Sequence, residues 1–345
     1  MSNYFSKMFS EKTFFVAEIG GNFSDVETGK KLIDLAIESH ADAVKIQTYK
    51  AATLSSRKAA FSSDGMPYTG DKSQFEQFSK YQIDDTVQQE LFQYAESNQV
   101  LLFSTPSHYS DCLILEKLCC PIYKIGSDDL SNLAFLKEVA GLGKPMIVST
   151  GMSTLNEIAD AVNAILGQGN SDVCLLHCVT NYPAEYKNAN LSAISTMIEH
   201  FFPIPIGFSD HASDDELVPA AVALGAALIE KHFTYDKKAE GPDHPMSLLP
   251  HEFKQMVEKV RRIEDALGDG IKKPALSELT TRRNNRKSIV MTKRLEAGDP
   301  LTRDSFEIKR PGWGIAPIHA DSLPGRVLAR TIEEDDVLTW DYFRS

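Results

Sequence analysis

Two histidines in this chain follow consecutive apolar runs, an arrangement that suits a metal ion. His211 comes shortly after the apolar run 204–208, and His232 comes shortly after the run 226–229. If these runs are neighbouring strands, both imidazoles lie at one end of a sheet, where they could hold a divalent transition metal together with water and substrate oxygens. A lone histidine at a strand end is more often structural, so the prediction rests on the pair. Glu18, after the first apolar run, is a candidate for a third, outer contact.

Two lysines, Lys45 and Lys124, are embedded between apolar residues, where an ammonium group is costly unless it meets an anion. Hydroxyl residues follow other apolar runs, and those predicted to join the lysines are Thr105, Ser127, Ser149 and Thr180. A cationic pocket rich in hydroxyls suits a phosphate group. Two alternatives stay open: one lysine could be an imine-forming nucleophile, or the lysines could pair with Glu18 or Asp129.

Loop acids and one arginine are weaker candidates. Asp128, Asp129 and Asp243 could hold sugar hydroxyls, although acids in loops are usually solvated turn residues. Arg310 stands beside a Gly-rich turn, where it could reach a ligand with two hydrogen bonds, but an ordinary surface arginine is the default interpretation.

Eight short apolar runs must position these side chains, and stretches with helical spacing separate them. Strand and helix therefore alternate, which predicts βαβ units around a parallel sheet and, with eight runs, a (β/α)8 TIM barrel of the α/β class. The carboxyl ends of the strands in such a barrel open into one mouth. The polar residues that end the runs are Glu18, Lys45, Ser104 with Thr105, Lys124, Ser149, His177, Ser209 to His211, and Glu230 to His232.

The organisation along the chain predicts two domains. Residues 1–270 would form the catalytic barrel, 271–287 a polar and basic linker, and 288–345 a small, mostly irregular or β domain. The segment 50–85 is too long and polar for an ordinary strand-to-helix connection, so we expect a lid or a substrate-facing insertion there, with a floppy surface loop as the alternative.

Composition limits the partners. The formal net charge of −12 argues against nucleic acid or an anionic membrane as the main partner, because both require a basic surface. We find no signal-peptide pattern and no run long enough to span a membrane. Five cysteines without a CxxC pair suggest reduced thiols. We therefore expect a cytoplasmic protein whose main partner is neither nucleic acid nor a membrane.

An ordered series of motifs resembles the N-acetylneuraminate (sialic acid) synthases and their relatives that make legionaminic and pseudaminic acids. The resemblance runs from about residue 12 to the carboxyl end, and the last part resembles the antifreeze-like (SAF) domain of these enzymes. The motifs are Ala17-Glu18-Ile19-Gly20, Val44-Lys45-Ile46-Gln47-Thr48, Phe103-Ser104-Thr105-Pro106, Tyr123-Lys124-Ile125-Gly126-Ser127, Ser149-Thr150-Gly151-Met152, Leu175-Leu176-His177-Cys178 with Tyr182-Pro183, Ser209-Asp210-His211, Glu230-Lys231-His232-Phe233-Thr234, Gly241-Pro242-Asp243-His244 and Lys309-Arg310-Pro311-Gly312.

This resemblance implies condensation of phosphoenolpyruvate with an N-acetylated aldose to give a nine-carbon 2-keto acid and phosphate. It implies a divalent metal on His211 and His232, typically manganese, with magnesium or cobalt as alternatives. It also implies a domain-swapped homodimer in which Arg310 reaches the partner's site. The implied catalytic residues are Glu18, Lys45, Lys124 and Asp129; Thr105, Ser127, Ser149 and Thr180 would bind phosphoenolpyruvate, and Gln47, Tyr182, Asp243 and Arg310 the sugar.

Three places depart from the family pattern, namely Asn22-Phe23, Asp128-Asp129 and Thr180-Asn181. They fall where the acceptor sugar is expected, so they bear on the choice of sugar more than on the reaction. Two other functions remain as alternatives: an aldolase that works through a lysine imine, and a catalytically silent carbohydrate-binding protein.

Overall fold

Eight parallel strands form a closed barrel in the computed structural model, which describes residues 4–9, 12–59 and 73–343. Each strand pairs with the next in sequence, and the last pairs with the first. The predicted TIM barrel of the α/β class is therefore confirmed. The strands are β1 Phe14–Glu18, β2 Ala43–Thr48, β3 Leu102–Pro106, β4 Tyr123–Ile125, β5 Met146–Ser149, β6 Val173–Cys178, β7 Ile206–Asp210 and β8 Leu228–His232.

Helices connect the strands. Within the described segments they are α1 Tyr4–Met8, α2 Val26–Glu38, α3 Ala51–Leu54, α4 Gln74–Tyr81, α5 Asp85–Ser97, α6 Tyr109–Lys117, α7 Leu133–Ala140, α8 Leu155–Leu166, α9 Ser192–Phe201, α10 Leu217–Ala223, α11 Pro250–Leu267 and α12 Leu279–Asn285. Several begin at a capping side chain; Asp25, for example, accepts the Thr28 amide at 2.9 Å before α2. None of these described helices combines the length and apolarity needed to cross a membrane.

The strands carry the site because successive side chains point to opposite faces. On β2, Val44 and Ile46 are fully buried in the apolar core, whereas Lys45 and Gln47 face the barrel interior. Several strands also extend beyond the apolar runs that predict them, and β8 extends three residues beyond the run 226–229 by ending at His232. Polar residues expected just after a strand therefore belong to the strand, and hydrogen bonds between strands hold their backbone in place.

The segment after β2 contains two helices, α3 and α4, so the alternative of a floppy loop is wrong for those parts of it. Residues 60–72 of this segment lie outside the described residues. Ser73 caps α4 by accepting the Glu76 amide at 3.2 Å, which explains where the helix begins. Side chains of both helices line the cavity described below.

The chain divides into two compact units between Gly268 and Asp269. In the second unit, β9 Ser288–Met291 pairs antiparallel with β10 Phe306–Lys309. The segment 271–287 that was predicted to be a linker contains α12, and the Gly312 amide donates to the carbonyl of Arg283 at 2.8 Å. Apolar side chains from short, irregular segments form a separate small core: Ile289, Met291, Leu301, Phe306, Ile315, Leu323, Leu328, Ile332 and Leu338.

Candidate active site

A cavity of about 470 Å³ opens at the carboxyl ends of the barrel strands. Every strand, or the loop that directly follows it, contributes to the wall, as expected for the mouth of such a barrel. The predicted site residues that line it are Lys45, Gln47, Thr105, Lys124, Ser127, Ser149, Thr180, Tyr182, His211, His232 and Asp243.

Two lysines and two glutamates form a buried network in this cavity. The Lys45 ammonium is 2.6 Å from the Glu18 carboxylate and 3.4 Å from the Glu230 carboxylate. The Lys124 ammonium is 3.3 Å from Glu230, so Glu230 lies between the two cations. Lys45 also donates to the hydroxyl of Thr105 at 3.2 Å. The strand register explains the network, because Glu18 on β1 pairs with Lys45 on β2 and with His232 on β8.

Burial and neighbouring charge act in opposite directions on these groups. Burial raises the pKa of Glu18, and the nearby Lys45 offsets this only in part. Burial would also raise the pKa of Glu230, but Lys124 and Lys45 hold it well below its usual value. Burial lowers the pKa of Lys124 despite the attraction of Glu230. Glu230 is therefore the carboxylate that stays ionised, and Glu18 takes up a proton more readily.

Hydroxyl groups line the cavity beside the lysines. The buried hydroxyls of Ser149 and Thr180 have no hydrogen-bond partner among the described residues, whereas Ser127 accepts the Gly151 amide at 3.0 Å. A Cβ atom at Gly151 would lie 2.2 Å from the Thr180 hydroxyl, so glycine permits this close approach. Buried polar groups are normally paired, so these free hydroxyls indicate a place for oxygen atoms of a ligand.

The two predicted metal ligands lie side by side, with ring centroids 5.4 Å apart. The Nδ1 atom of His211 lies 2.8 Å from the Val179 carbonyl, so an Nδ1 proton donated there leaves Nε2 as a free ligand atom. The buried Nδ1 of His232 has no hydrogen-bond partner in the described segments, and Asp243 lies 3.5 Å away.

These two imidazoles can supply part of the ligand set of a divalent metal. Burial lowers the pKa of His232 well below its usual value, which favours the neutral imidazole that a metal needs. The described residues contain no group of three or more His, Cys, Asp or Glu side chains placed to hold a metal. A metal on His211 and His232 would therefore take its other ligands from water or substrate.

Glu230 was not among the predicted site residues, although it faces the cavity. It lies two positions before His232 on β8, and side chains two apart on a strand share a face. The alternation puts Lys231 on the opposite face, where its ammonium is 2.7 Å from Asp210. The period of two along β8 was the signal that could have identified Glu230.

The prediction for Asp129 is wrong in its placement. Asp129 is not among the residues that line the cavity, and its carboxylate accepts a hydrogen bond from Asn132 at 3.4 Å. A single 3₁₀ turn over Ser127–Asp129 sends successive side chains in different directions, so the exposed Asp128 lines the cavity instead.

Glu18 also differs from its predicted place as an outer metal contact. It is fully buried and does not line the cavity. Its Oε1 atom accepts hydrogen bonds from the Gly20 amide at 2.7 Å and from the Gln47 amide at 3.1 Å, while Oε2 faces Lys45. Its contacts therefore hold Lys45 and Gln47 in position.

Two further candidates lie elsewhere. His177 is buried against Phe208 and lies 2.7 Å from the Ala189 carbonyl, as a packed core histidine would. Arg310 is exposed directly after β10 in the second unit.

Comparison with known proteins defines the class. The model of the NeuB family matches residues 32–272, and the SAF domain model matches residues 286–344. The chain is 37% identical over 332 residues to N,N'-diacetyllegionaminic acid synthase of Campylobacter jejuni, covering 95% of this chain and 99% of that protein. It is 34% identical over 333 residues to N-acetylneuraminate-9-phosphate synthase of Homo sapiens, covering 94% and 91%.

A solved structure agrees. N-acetylneuraminic acid (sialic acid) synthetase from Leptospira borgpetersenii, in complex with citrate, superposes with a TM-score of 0.70 at 31% identity, over 78% of this chain and 90% of that one. The barrel with its SAF domain is thus an enzyme of the sialic acid synthase type, a transferase that makes nonulosonic acids. The chain belongs to the NeuB family, as its sequence motifs imply.

Proposed function

We propose that this enzyme condenses phosphoenolpyruvate with an N-acylated aldose to give a sialic-acid-like 2-keto acid and phosphate. The observation that supports this is the juxtaposition, in one cavity, of a lysine and hydroxyl cluster with two neighbouring imidazoles. The first group matches a phosphorylated carboxylic acid and the second a sugar aldehyde activated by a metal.

Lys45 and Lys124 bind phosphoenolpyruvate in this proposal. Among the described residues, their ammonium groups contact only carboxylates and a hydroxyl of the protein. Two buried cations favour negative charge nearby, and the bound phosphoenolpyruvate would supply it. The hydroxyls that complete the anion site are those of Thr105, Ser127, Ser149 and Thr180.

His211 and His232 would hold a divalent cation, manganese being typical of the family and magnesium or cobalt the alternatives. When bound, the cation supplies polarisation of the sugar aldehyde. The ring of Tyr182 packs against that of His211, with centroids 4.2 Å apart and planes tilted by 34°, and so restricts where the sugar can lie. Gln47 and Asp243 line the same region and would orient the sugar hydroxyls.

The reaction forms a carbon–carbon bond and a carbon–oxygen bond from water to C2, and it breaks the C2–oxygen bond to phosphate. The methylene carbon of phosphoenolpyruvate attacks the aldehyde carbon, and C2 becomes cationic. The ionised carboxylate of Glu230 stabilises that charge. A water molecule then adds to C2, and one of its protons passes to the oxygen of the former aldehyde, which becomes a hydroxyl. Phosphate leaves with the C2–oxygen electron pair, the C2 hydroxyl gives up its proton to the departing phosphate, and the ketone forms. Glu18 acts through Lys45 and Gln47 in this scheme, as a positioning residue.

Arg310 completes the sugar site from the other subunit of a domain-swapped homodimer in this proposal. The support for this assignment is the match of Lys309-Arg310-Pro311-Gly312 to the family pattern. An arginine can bind sugar oxygens with two parallel hydrogen bonds.

The test is phosphate release from phosphoenolpyruvate. We expect release to require an N-acyl aldose and a divalent metal, and to stop after exhaustive treatment with EDTA and return with Mn²⁺. Full activity after metal removal would contradict the metal assignment. Trapping of substrate on the protein with borohydride would favour the imine alternative, and sugar binding without turnover would favour the silent binding protein.

A further inference from the structure

The loop after β1 packs against the loop after β8, and the side chain of Asn22 joins the two loops. Asn22 is only 2% exposed. Its amide nitrogen donates to the carbonyl of Phe233 at 2.9 Å and to the hydroxyl of Ser247 at 3.0 Å. Because the Phe233 carbonyl can only accept, it fixes which end of the Asn22 amide is the nitrogen. Both hydrogens of that nitrogen therefore connect the loops.

Phe23, the next residue, stands in one of the three places that depart from the family pattern. Its side chain is buried in the apolar core of the barrel unit. Asn22 is therefore the member of this pair that reaches the loop after β8, and Phe23 takes no part in the contact.

The contact continues from Ser247 to Asp243. The fully buried hydroxyl of Ser247 donates to the carbonyl of Asp243 at 2.6 Å, and the Ser247 amide donates to the same carbonyl at 3.2 Å. The next residue, His244, is also buried, and its Nδ1 atom lies 2.6 Å from the hydroxyl of Thr234. The backbone around Asp243 is thus tied to Asn22 through Ser247 and to the end of β8 through Thr234.

The carboxylate of Asp243 lies in a narrow space at the cavity. Its Oδ2 atom is 3.5 Å from Nδ1 of His232, and its side chain lines the cavity. On the other side lies Gly21, which has a φ of +74° and where a Cβ atom would be 2.8 Å from the same Oδ2 atom. A shift of either loop would therefore move the Asp243 carboxylate relative to His232.

We propose that Asn22 is a positioning residue for the reaction, and that it acts through Ser247 to hold the Asp243 carboxylate beside His232. This inference rests on the proposed function, in which Asp243 orients the sugar hydroxyls. Asn22 does not line the cavity in the described part of the chain, so its effect reaches the sugar through Asp243.

The loss caused by breaking this contact should be confined to the sugar. Lys45 and Lys124, which bind phosphoenolpyruvate in the proposed function, belong to β2 and β4. Among the described residues, their ion pairs are with Glu18 and Glu230, and neither lysine bonds to the loop after β8. The binding of phosphoenolpyruvate should therefore not depend on Asn22.

The experiment measures steady-state phosphate release with Mn²⁺ while each substrate is varied in turn. The sugar is the best acceptor among N-acetylmannosamine, its 6-phosphate and a diacetamido-dideoxy hexose. We expect Asn22→Ala and Ser247→Ala each to raise the KM for the sugar by about tenfold, the lower end of what a hydrogen bond to a charged group contributes, with the KM for phosphoenolpyruvate within about twofold. The double variant should lose no more than either single variant, because both changes break the same chain of hydrogen bonds. Thermal melts establish that each variant is folded at the assay temperature, and Ser247→Ala removes only one oxygen atom.

Asn170→Ala is the matched control. Asn170 is also a buried asparagine that joins two backbone segments, since its amide nitrogen donates to the carbonyl of Lys144 at 2.8 Å and its amide oxygen accepts the Asp172 amide at 3.0 Å. It precedes β6 and so lies at the amino ends of the strands, away from the cavity. Its substitution should leave both KM values unchanged.

Asp243→Asn separates this inference from the proposed function. If it raises the KM for the sugar while neither Asn22→Ala nor Ser247→Ala does so, the inference is overturned and the proposed function stands. Equal rises in both KM values, or a similar loss in Asn170→Ala, would also overturn the inference, because a general loss of structure would explain them. If Asp243→Asn leaves the KM for the sugar unchanged, the role assigned to Asp243 fails and the inference fails with it. If the parent enzyme releases phosphate with no sugar, the proposed function itself fails.

Discussion

Glu230 is a single carboxylate between two buried ammonium groups, and in the proposed reaction its negative charge stabilises the cationic C2. The lysines keep it ionised, so it can stabilise a cationic C2 without first losing a proton. Lys45 retains Glu18 as a partner when Glu230 is neutral, whereas Lys124 is left with no carboxylate within ion-pair distance in the described residues.

We therefore expect Glu230→Gln to lower kcat by about 100-fold, the usual cost of removing one preorganised electrostatic contact. The affinity for phosphoenolpyruvate should stay equal or improve, because the anion site becomes more positive. Steady-state phosphate release and calorimetric titration with phosphoenolpyruvate measure the two effects. Glu185→Gln, at an exposed carboxylate beside Lys187, is the control. A kcat within threefold of the parent enzyme would contradict this role.

At the scale of elements, the outer faces of β7 and β8 are joined by a buried ion pair. The Lys231 ammonium is fully buried, lies 2.7 Å from Asp210 and also donates to the carbonyl of Ala212. The second oxygen of Asp210 accepts the Ala212 amide at 2.9 Å. These bonds enclose His211, so the pair holds in place the backbone that carries one of the two imidazoles.

Lys231→Met should lower the free energy of unfolding by about 3 kcal/mol or more, because it leaves a buried carboxylate without its cation. The double variant that adds Asp210→Asn should recover part of this loss. Urea unfolding followed by circular dichroism measures both. Lys237→Met, which removes a half-buried pair with Glu252, should cost less than about 1 kcal/mol. Equal losses in the free energy of unfolding of the two single variants would show that the buried pair stabilises the fold no more than the half-buried pair does.

The start of β1 is joined to α11 by a second polar contact, which depends on pH. Glu264 accepts the Thr13 amide at 2.6 Å, and Arg261 donates to the Glu264 carboxylate at 2.9 Å. Partial burial would raise the pKa of Glu264, but these hydrogen bonds hold it below its usual value. A depressed pKa stabilises the fold above the unfolded value, and the stabilisation is lost as pH falls through the folded pKa.

Glu264→Gln should therefore reduce the free energy of unfolding by about 1 kcal/mol at pH 7, a value kept small because the group is partly solvated. The difference from the parent enzyme should shrink as the pH falls below the ordinary glutamate range of about 4. Denaturant unfolding at several pH values measures this. Glu258→Gln, an exposed carboxylate on the same helix, is the control. A difference that does not depend on pH would contradict the charged contact.

At the scale of the whole molecule, the net charge of −12 requires anionic substrates to be bound by local cations. In the proposed reaction these are Lys45 and Lys124 of the barrel. Arg310 is proposed to act in the site of the partner subunit, and dimers that mix two different variants can test this.

We expect a co-expressed mixture of His211→Ala and Arg310→Ala chains to recover activity that neither variant has alone. In a swapped dimer, one site of each mixed dimer combines an intact barrel with an intact SAF domain, so about a quarter of all sites should be active. Phosphate release by the copurified mixture measures this. Sites built from a single chain would remain inactive in every mixture, which would exclude the swap.

Much of the architecture follows from local patterns in the sequence. Each apolar run ends in a polar residue, and the runs alternate with helical spacing, so a parallel barrel with a polar mouth was predictable. Lys45, Lys124, His211 and His232 were recognisable because charged or metal-binding groups stand at the ends of runs that must be buried. The motif order along the chain was sufficient to indicate the family, since it depends only on sequence.

Only the tertiary structure decided which neighbouring side chains enter the cavity. One 3₁₀ turn turns Asp129 away and leaves Asp128 facing the mouth, and the alternation along β8 adds Glu230 to the site. Helix α4 brings Gln77 and Tyr81 to the cavity that β2 also lines, although β2 ends about thirty residues earlier in the chain. The direction of a side chain at a turn depends on backbone angles that distant contacts select, and a local pattern does not specify those contacts.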